Sequence, residues 1–411
     1  MLSKFKTLIP RNLINLYHGL GGRIANFYFG RPTKNITVIG VTGTKGKSTT
    51  CHMISHILEK TGNKVGMIST PIIKIGRTEK LNTTKMTMLG GFKAQKLLKL
   101  MVNSGCKYVV IETSSQGLEQ NRHWGIKYSA AVLTNIFPEH IEAHGNFENY
   151  IKSKLKLWES FKNGISVLNK DADRVENFIK KSDEDRIIFY SPLSKEIWAK
   201  AEDRQTININ LGIFGEFNNA NALAAIALAY AFGIDIKTAG QALEDFKGTP
   251  GRAEIIDEGQ SFRVIVDYAH EPKSLKTIYE ELNRNKAGKI ISVLGSAGGG
   301  RDKWRRPELG KLAAEYADIA IITNEDPYDE DPQKIIEEVA QGAIKNGKKL
   351  GENLFKILDR KEAIRKAIDL ARNNDTVILT GKGAEQWIMG PGGLKIQWDE
   401  REIVHQFLSG K

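Results

Sequence analysis

The stretch Asn35–Thr50 reads N-I-T-V-I-G-V-T-G-T-K-G-K-S-T-T and constrains this chain more than any other. Ile36 to Val41 is an apolar, largely β-branched run, the pattern of a parallel strand buried on both faces. A glycine loop follows at once, and Thr49 to Lys60 has helical periodicity, with Met53, Ile54, Ile57 and Leu58 on one face. A strand, a glycine loop and a helix start make an anion site, because unpaired backbone N–H groups and the helix dipole point at one place. Gly43 and Gly46 let the backbone approach a phosphate, Lys47 reaches the β/γ-phosphates, and the Ser48 hydroxyl can ligate Mg2+. Thr44, Lys45 and Thr49 complete the predicted nucleotide loop. The pattern G-x-x-x-x-G-K-[ST] is not met, because Val41 stands at its first glycine; the match is to the shorter G-x-x-G-K-S.

At 411 residues the chain exceeds one ordinary core, so more than one domain is expected. No apolar run is long enough to span a bilayer, no secretory h-region is visible, and the two cysteines, Cys51 and Cys106, build neither a four-ligand zinc site nor a disulfide framework. The cytoplasm is the expected compartment. The formal charge of +12 is uneven: Lys4, Lys6, Arg11, Arg23, Arg31 and Lys34 precede the first strand, while the first acid is Glu59. Aromatic–basic interleaving of the RNA-module kind is absent, so nucleic acid is not expected as a partner. In residues 1–34, Leu13, Leu16, Tyr17, Leu20, Ile24, Phe27 and Tyr28 fall at helical spacing. This helix is expected to pack on the following domain rather than lie on a membrane surface.

Further along, Lys107 to Ile111 predicts a buried strand ending in Glu112-Thr113-Ser114-Ser115-Gln116-Gly117, and Tyr128 to Leu133 another, followed by Thr134-Asn135 and Pro138-Glu139-His140. Carboxylates and hydroxyls at the carboxyl ends of strands lie where open α/β sheets bind ligands, so Ser48, Glu112 and His140 would converge. Mg2+ prefers oxygen, which makes His140 the odd member. Phe147 to Phe161 predicts a helix with Tyr150, Lys154 and Trp158 on one ladder; by physics alone Lys154 is a snorkelling lysine. Asn218 and Asn221 open an alanine-rich helix, where they can cap it or hydrogen-bond a base. Gly248-Thr249-Pro250-Gly251-Arg252 marks a domain boundary. Beyond it, strands at Phe262–Tyr268, Lys289–Gly295, Asp318–Thr323 and Thr376–Thr380 each end in a polar or glycine-rich loop, as in a second doubly wound domain.

Taken together, these motifs resemble the Mur ligase superfamily and its MurE-type branch over about residues 35 to 405. The resemblance rests on Gly43–Ser48; on Glu112-Thr113-Ser114-Ser115-Gln116-Gly117-Leu118 with Arg122; on Thr134-Asn135 with Glu139–Gly145; on Tyr150 with Lys154; on Phe217–Ala222; and on Gly251-Arg252 with Asp267-Tyr268-Ala269-His270. It implies an α/β fold with a central P-loop-type parallel-sheet ATPase domain (35–249) and a Rossmann-like C-terminal domain (250–411). Residues 1–34 are a short basic segment standing where the family carries a UDP-binding domain, which leaves open whether the acceptor carries UDP. The implied activity is ATP- and Mg2+-dependent addition of an L-amino acid to a UDP-N-acetylmuramoyl-L-alanyl-D-glutamate-type acceptor, through an acyl phosphate, by a monomer whose C-terminal domain closes on the central one. Lys47 and Ser48 would hold the γ-phosphate and one Mg2+. Glu112, His140 and a carbamylated Lys154 would hold a second. Asn218 and Asn221 would face adenine, and Arg252, Asp267 and His270 would grip the nucleotide. Thr83, Thr84, Ser114 and Arg122 would bind the D-glutamyl end, while Arg301, Glu325, Asp326, Gly381 and Glu385 would surround the incoming amino acid.

The sequence departs from the family pattern in the motif D-N-P-R, which reads Glu325-Asp326-Pro327-Tyr328. Arginine would give a distal carboxylate a bidentate partner, and Tyr328 cannot. An acidic pocket of Glu325, Asp326 and Glu385 suits a distal amine, so L-lysine or ornithine is expected in place of diaminopimelate. Gln116 and Ala384 replace two family histidines. A folylpolyglutamate-type ligase and a nucleotide-binding regulatory protein without ligase activity are the rival readings.

Overall fold

Strand β1 (Thr37–Thr42) is buried at every residue after Thr37, as its β-branched run requires. The computed structural model of the chain describes residues 10–139, 144–284 and 286–410. These fall into two compact units, Met1–Gly212 with Phe217–Lys247 and Ile213–Glu216 with Gly248–Lys411.

In the first unit, β1 is central to a 10-stranded sheet of order β10-β9-β8-β7-β6-β1-β5-β2-β3-β4. β5 (Tyr108–Glu112) and β6 (Ala130–Leu133) flank it in parallel, with Val41 opposite Glu112 and Thr42 opposite Leu133. β2 (Val65–Ile68), β7 (Ile165–Asn169) and β8 (Ile187–Ser191) extend the parallel core. The edges are antiparallel: β3 (Ile72–Ile75) with β4 (Thr78–Leu81), and β9 (Glu196–Trp198) with β10 (Gln205–Thr206). The chain passes from β5 on one side of β1 to β6 on the other, so the loops after these strands open at a topological switch point.

Helix Phe147–Glu159 starts at Asn146, whose side chain accepts the Asn149 N–H at 2.8 Å. Its Tyr150, Ile151, Leu157 and Trp158 enter the core. Helix Asn218–Ala231 packs on helix Lys47–Lys60, and its alanines from 222 to 229 are buried, which explains the composition: small side chains let two helices approach closely. Its N-cap is Phe217, with no side-chain cap bond, so neither asparagine serves as the cap.

Helix Arg11–Tyr28 also belongs to this unit and packs on helix Gly91–Asn103. Its buried positions are Gly19, Gly22 and Ala25, with Gly22 against Gly91, while Leu16, Tyr17, Leu20, Ile24, Phe27 and Tyr28 are exposed. A Cβ at Gly22 would meet the Trp124 carbonyl at 2.5 Å, so the close approach requires glycine there. The helix packs on the following domain as expected, but by its small-residue side: periodicity shows that one face is apolar, and the glycines decide which face docks.

The second unit holds a 6-stranded sheet of order β11-β12-β16-β13-β14-β15. β12 (Arg263–Val266), β16 (Thr376–Leu379), β13 (Ile290–Leu294), β14 (Ile319–Thr323) and β15 (Leu354–Ile357) are parallel, and β11 (Glu254–Ile256) is an antiparallel edge. Its polar anchor is Arg360, buried and paired with Glu400 at 2.7 Å and with the Thr380 carbonyl at 2.7 Å.

Phe178 is fully buried, with its ring edge-on to Trp158 at 4.8 Å. Phe178→Ala should cost about 3–5 kcal/mol, read as a lowered urea midpoint at unchanged m-value.

Candidate active site

The loops after β1, β5 and β6 meet at one sheet edge. Glu112, the last residue of β5, is buried, and its Oε2 accepts the Ser48 hydroxyl at 3.0 Å and the Thr70 N–H at 2.7 Å. Lys47 curls over the loop and donates to the carbonyls of Gly43 (3.2 Å) and Thr44 (2.9 Å). Asn135 fixes the loop from β6, accepting the Lys45 N–H at 2.9 Å and donating to the Lys45 carbonyl at 3.1 Å. The Lys45 ammonium pairs with Glu139 at 2.5 Å. Gly46 is left-handed (φ 79°), and Thr49 lies buried in the first turn of the following helix. A Cβ at Gly46 would collide with the Asn221 amide, and one at Gly43 with the Thr134 hydroxyl. At Gly43 and Gly46 the loop thus leaves backbone open to a ligand and no room for a side chain.

Lys154 reaches the same place from helix Phe147–Glu159. It is 1% exposed, donates to the Gly43 carbonyl at 2.6 Å, and lies 4.6 Å from the Tyr150 ring centroid. Burial, reinforced by the Lys47 charge, holds its ammonium well below the usual lysine range, against the opposing pull of Glu139. This overturns the snorkelling reading by physics: the amine is inside, not at the surface. The Tyr150 hydroxyl donates to Thr44 Oγ1 at 3.0 Å and fixes the ladder that aims Lys154. His140 lies outside the described residues. Asn221 donates to Asn218 Oδ1 at 2.9 Å, and both are buried beside the loop.

Toward the β2–β4 side, Thr84 donates through its N–H and hydroxyl to Asn82 Oδ1 at 3.1 and 2.7 Å, and Thr83 is exposed. Ser114 caps helix Ser115–Glu119 by accepting the Gly117 N–H. Arg122 donates from Nη1 to the Met88 carbonyl at 2.7 Å, while its buried Nε has no hydrogen-bond partner among the described residues.

In the second unit, Arg252 stacks 4.1 Å over Tyr268. The Asp267 carboxylate accepts the N–H groups of Ala253 (2.6 Å) and Ala269 (2.7 Å), so it shapes a turn as it stands; desolvation raises it above the usual carboxylate range. His270 Nδ1 lies 2.8 Å from the Tyr268 carbonyl. Arg301 is exposed. The predicted acidic pocket is not an open cluster of carboxylates. Lys382, fully buried, donates to Asp326 at 3.0 Å and to Glu385 at 2.6 Å and neutralises much of it. Glu325 differs: it is buried, and its Oε2 has no hydrogen-bond partner among the described residues. Gly381 borders that oxygen, where a Cβ would collide with it. The sequence assigned no role to Thr70 or Lys382, and it marked Asn135 and Tyr150 as motif members without a role of their own; the local signal for Lys382 is a lysine three residues before Glu385.

Residues 41–229 match the Mur ligase middle domain, and residues 251–383 match the glutamate ligase domain of the same family. A curated UDP-N-acetylmuramoyl-L-alanyl-D-glutamate–2,6-diaminopimelate ligase of Clostridium botulinum is 36% identical, over 93% of this chain and 80% of its own length. The chain belongs to the Mur ligase family. This Mur ligase is accordingly an ATP-dependent enzyme acting on small molecules. A solved structure of a ligase with the same name aligns with TM-score 0.61 and 26% identity, covering 96% of this chain and 82% of that one. A Mycobacterium tuberculosis folylpolyglutamate synthase aligns with TM-score 0.67 at 15% identity, over 91% and 92% of the two chains, which shows a shared fold.

Two outcomes follow. Gly43→Ala should raise the KM for ATP by at least about tenfold, since the loop must move off Thr134 to admit the methyl and the N–H cradle is lost. Burial pushes Glu325 up to about 7 from 4.5, against the opposing charges of Arg360 and Lys382. The unfolded chain releases this proton first, so the Glu325 contribution to stability falls as pH rises from about 4.5 to 7. Glu325→Gln should gain on the parent by on the order of 3 kcal/mol across that window in urea melts.

Proposed function

We propose that this Mur ligase adds a basic L-diamino acid such as L-lysine to a UDP-N-acetylmuramoyl-L-alanyl-D-glutamate-type acceptor, through an acyl phosphate, in peptidoglycan precursor synthesis. The observation that carries the reading is the convergence of the Gly43–Ser48 loop, Glu112 and Lys154 at one buried sheet edge.

The donor set fits Mg2+. A serine hydroxyl and a buried carboxylate 3.0 Å apart offer the hard oxygens that the ion takes. Ser48 would hold one ion, and Glu112 with His140 and a carbamylated Lys154 a second; when bound, the ions would offset negative charge on the phosphates. Lys154 suits carbamylation because burial favours its neutral amine. That lone pair attacks the carbon of CO2, one N–H proton leaves, and the neutral amine becomes an anionic carbamate. Lys47 donates to two backbone carbonyls, which it can exchange for phosphate oxygens.

The loop N–H groups and Lys47 orient the γ-phosphate for in-line attack by an acceptor carboxylate oxygen. The bond from γ-phosphorus to the bridging oxygen breaks, and ADP departs. The neutral α-amine then attacks the carbonyl carbon, the C–O bond to phosphate breaks, and the amine loses a proton. The unpartnered Arg122 Nε supports a carboxylate of the acceptor nearby. In the second unit, the unpartnered Glu325 Oε2 supports an ammonium of the incoming amino acid, and Tyr328 in place of arginine supports a substrate without a distal carboxylate. The second reading is 2,6-diaminopimelate, the amino acid in the relatives' names, favoured also by Lys382 drawing off two of the acids.

Phosphate release should be measured with ATP, Mg2+, L-lysine or meso-diaminopimelate, and three acceptors: the UDP-muramoyl dipeptide, the same dipeptide without UDP, and folate. Release with the first acceptor and lysine is expected. Release with diaminopimelate alone would replace the amino acid assignment, and release only with folate would discard the acceptor. Lys154→Ala should lose turnover by at least about a thousandfold if its carbamate holds the metal.

A further inference from the structure

The strangest surface of the molecule is the outer face of helix Arg11–Tyr28. With 3.6 residues per turn, Leu16, Tyr17, Leu20, Ile24, Phe27 and Tyr28 share one arc of about 120°. An apolar stripe of that width normally faces a core. Here it faces away from the sheet, because Gly19, Gly22 and Ala25 on the opposite side dock the helix. Tyr17, Phe27 and Tyr28 are 74%, 73% and 74% exposed. The patch continues onto the neighbouring helix, where Phe92 is exposed and lies 6.3 Å from Tyr28 between ring centroids.

Charge narrows what can cover this face. Neither helix contains an acid, and Lys93 and Lys96 on Gly91–Asn103 are exposed beside Phe92. Arg23 flanks the stripe, held 4.0 Å over the Trp124 ring. Lys4 and Lys6 precede the helix in the sequence, and no acid occurs before Glu59. Aromatic and aliphatic side chains within a basic surround are the features of helices that lie in the plane of an anionic bilayer, with tyrosines at headgroup level. No helix among the described residues is long and apolar enough to cross a membrane, so the contact is one of lying on the surface.

We propose that the exposed face of helix Arg11–Tyr28, with Phe92, Lys93 and Lys96, docks this ligase on an anionic lipid bilayer. The rigid glycine seam presents the stripe ready-made, so binding needs no refolding of the enzyme.

The test is co-sedimentation of the full chain with vesicles of phosphatidylglycerol and phosphatidylcholine, or of phosphatidylcholine alone, at low and high salt. The protein should pellet with the anionic vesicles, and pelleting should weaken as salt shortens the screening length. Two double variants, Leu20→Ser with Phe27→Ser and Lys93→Glu with Lys96→Glu, change exposed side chains only. Each should keep the parent melting midpoint and lose at least about tenfold in partitioning, the charge pair chiefly through lost attraction to anionic headgroups. Failure to pellet overturns the proposal, as does equal pelleting with both vesicle types. So does a self-association or a bound acidic protein that covers the face while vesicles leave it alone. A double variant that keeps its melting midpoint yet still pellets like the parent also overturns it.

Discussion

Everything at the phosphate-loop edge hangs on the burial of β1 between β5 and β6. Three parallel strands buried on both faces gather polar groups in the loops at their carboxyl ends. Glu112 can remain there because the Ser48 hydroxyl and the Thr70 N–H share its Oε2. Lys154 can remain because the Gly43 carbonyl and the Tyr150 ring face it. Both groups are costly to bury, and both are directed at the same loop. A site assembled from expensive residues on rigid strands is preorganised for transferring a charged group.

The second unit solves a different electrostatic problem. Five of its buried or half-buried charged groups are matched among themselves: Arg360 with Glu400, and Lys382 between Asp326 and Glu385. Against that balance, Glu325 stands out as a buried carboxyl with an unpartnered oxygen and a raised proton affinity. A substrate ammonium is the partner that would complete it. Tyr328, at φ 52° and with its N–H donating to the Met389 carbonyl at 3.0 Å, takes the position where the family pattern has arginine.

Much of this was legible in the sequence where the signal is local. The Gly43–Ser48 loop follows from adjacent residue types, and the principal parallel strands from their apolar runs, each within a few residues of its observed span. The short edge strands β3, β4, β9 and β10 carry too few residues for a periodic signal. Non-local pairings were invisible for another reason. Lys154 reads as an ordinary amphipathic-helix lysine until Gly43, 111 residues away in sequence, is placed over it. Lys382 reads as part of a glycine turn until Asp326 arrives from β14. The leading helix shows the limit of periodicity most directly: an apolar stripe was visible, but glycine contacts with Trp124 and Gly91 turned it outward.

The central claim is that an acceptor carboxylate is activated at the loop between β1 and helix Lys47–Lys60. It is tested most directly by an acceptor whose reactive carboxylate carries heavy oxygen. Mass spectrometry of the inorganic phosphate released in a complete reaction should find one labelled oxygen per phosphate, because the acyl–oxygen bond breaks when the amine attacks. Phosphate released without label, alongside normal product, would contradict the account.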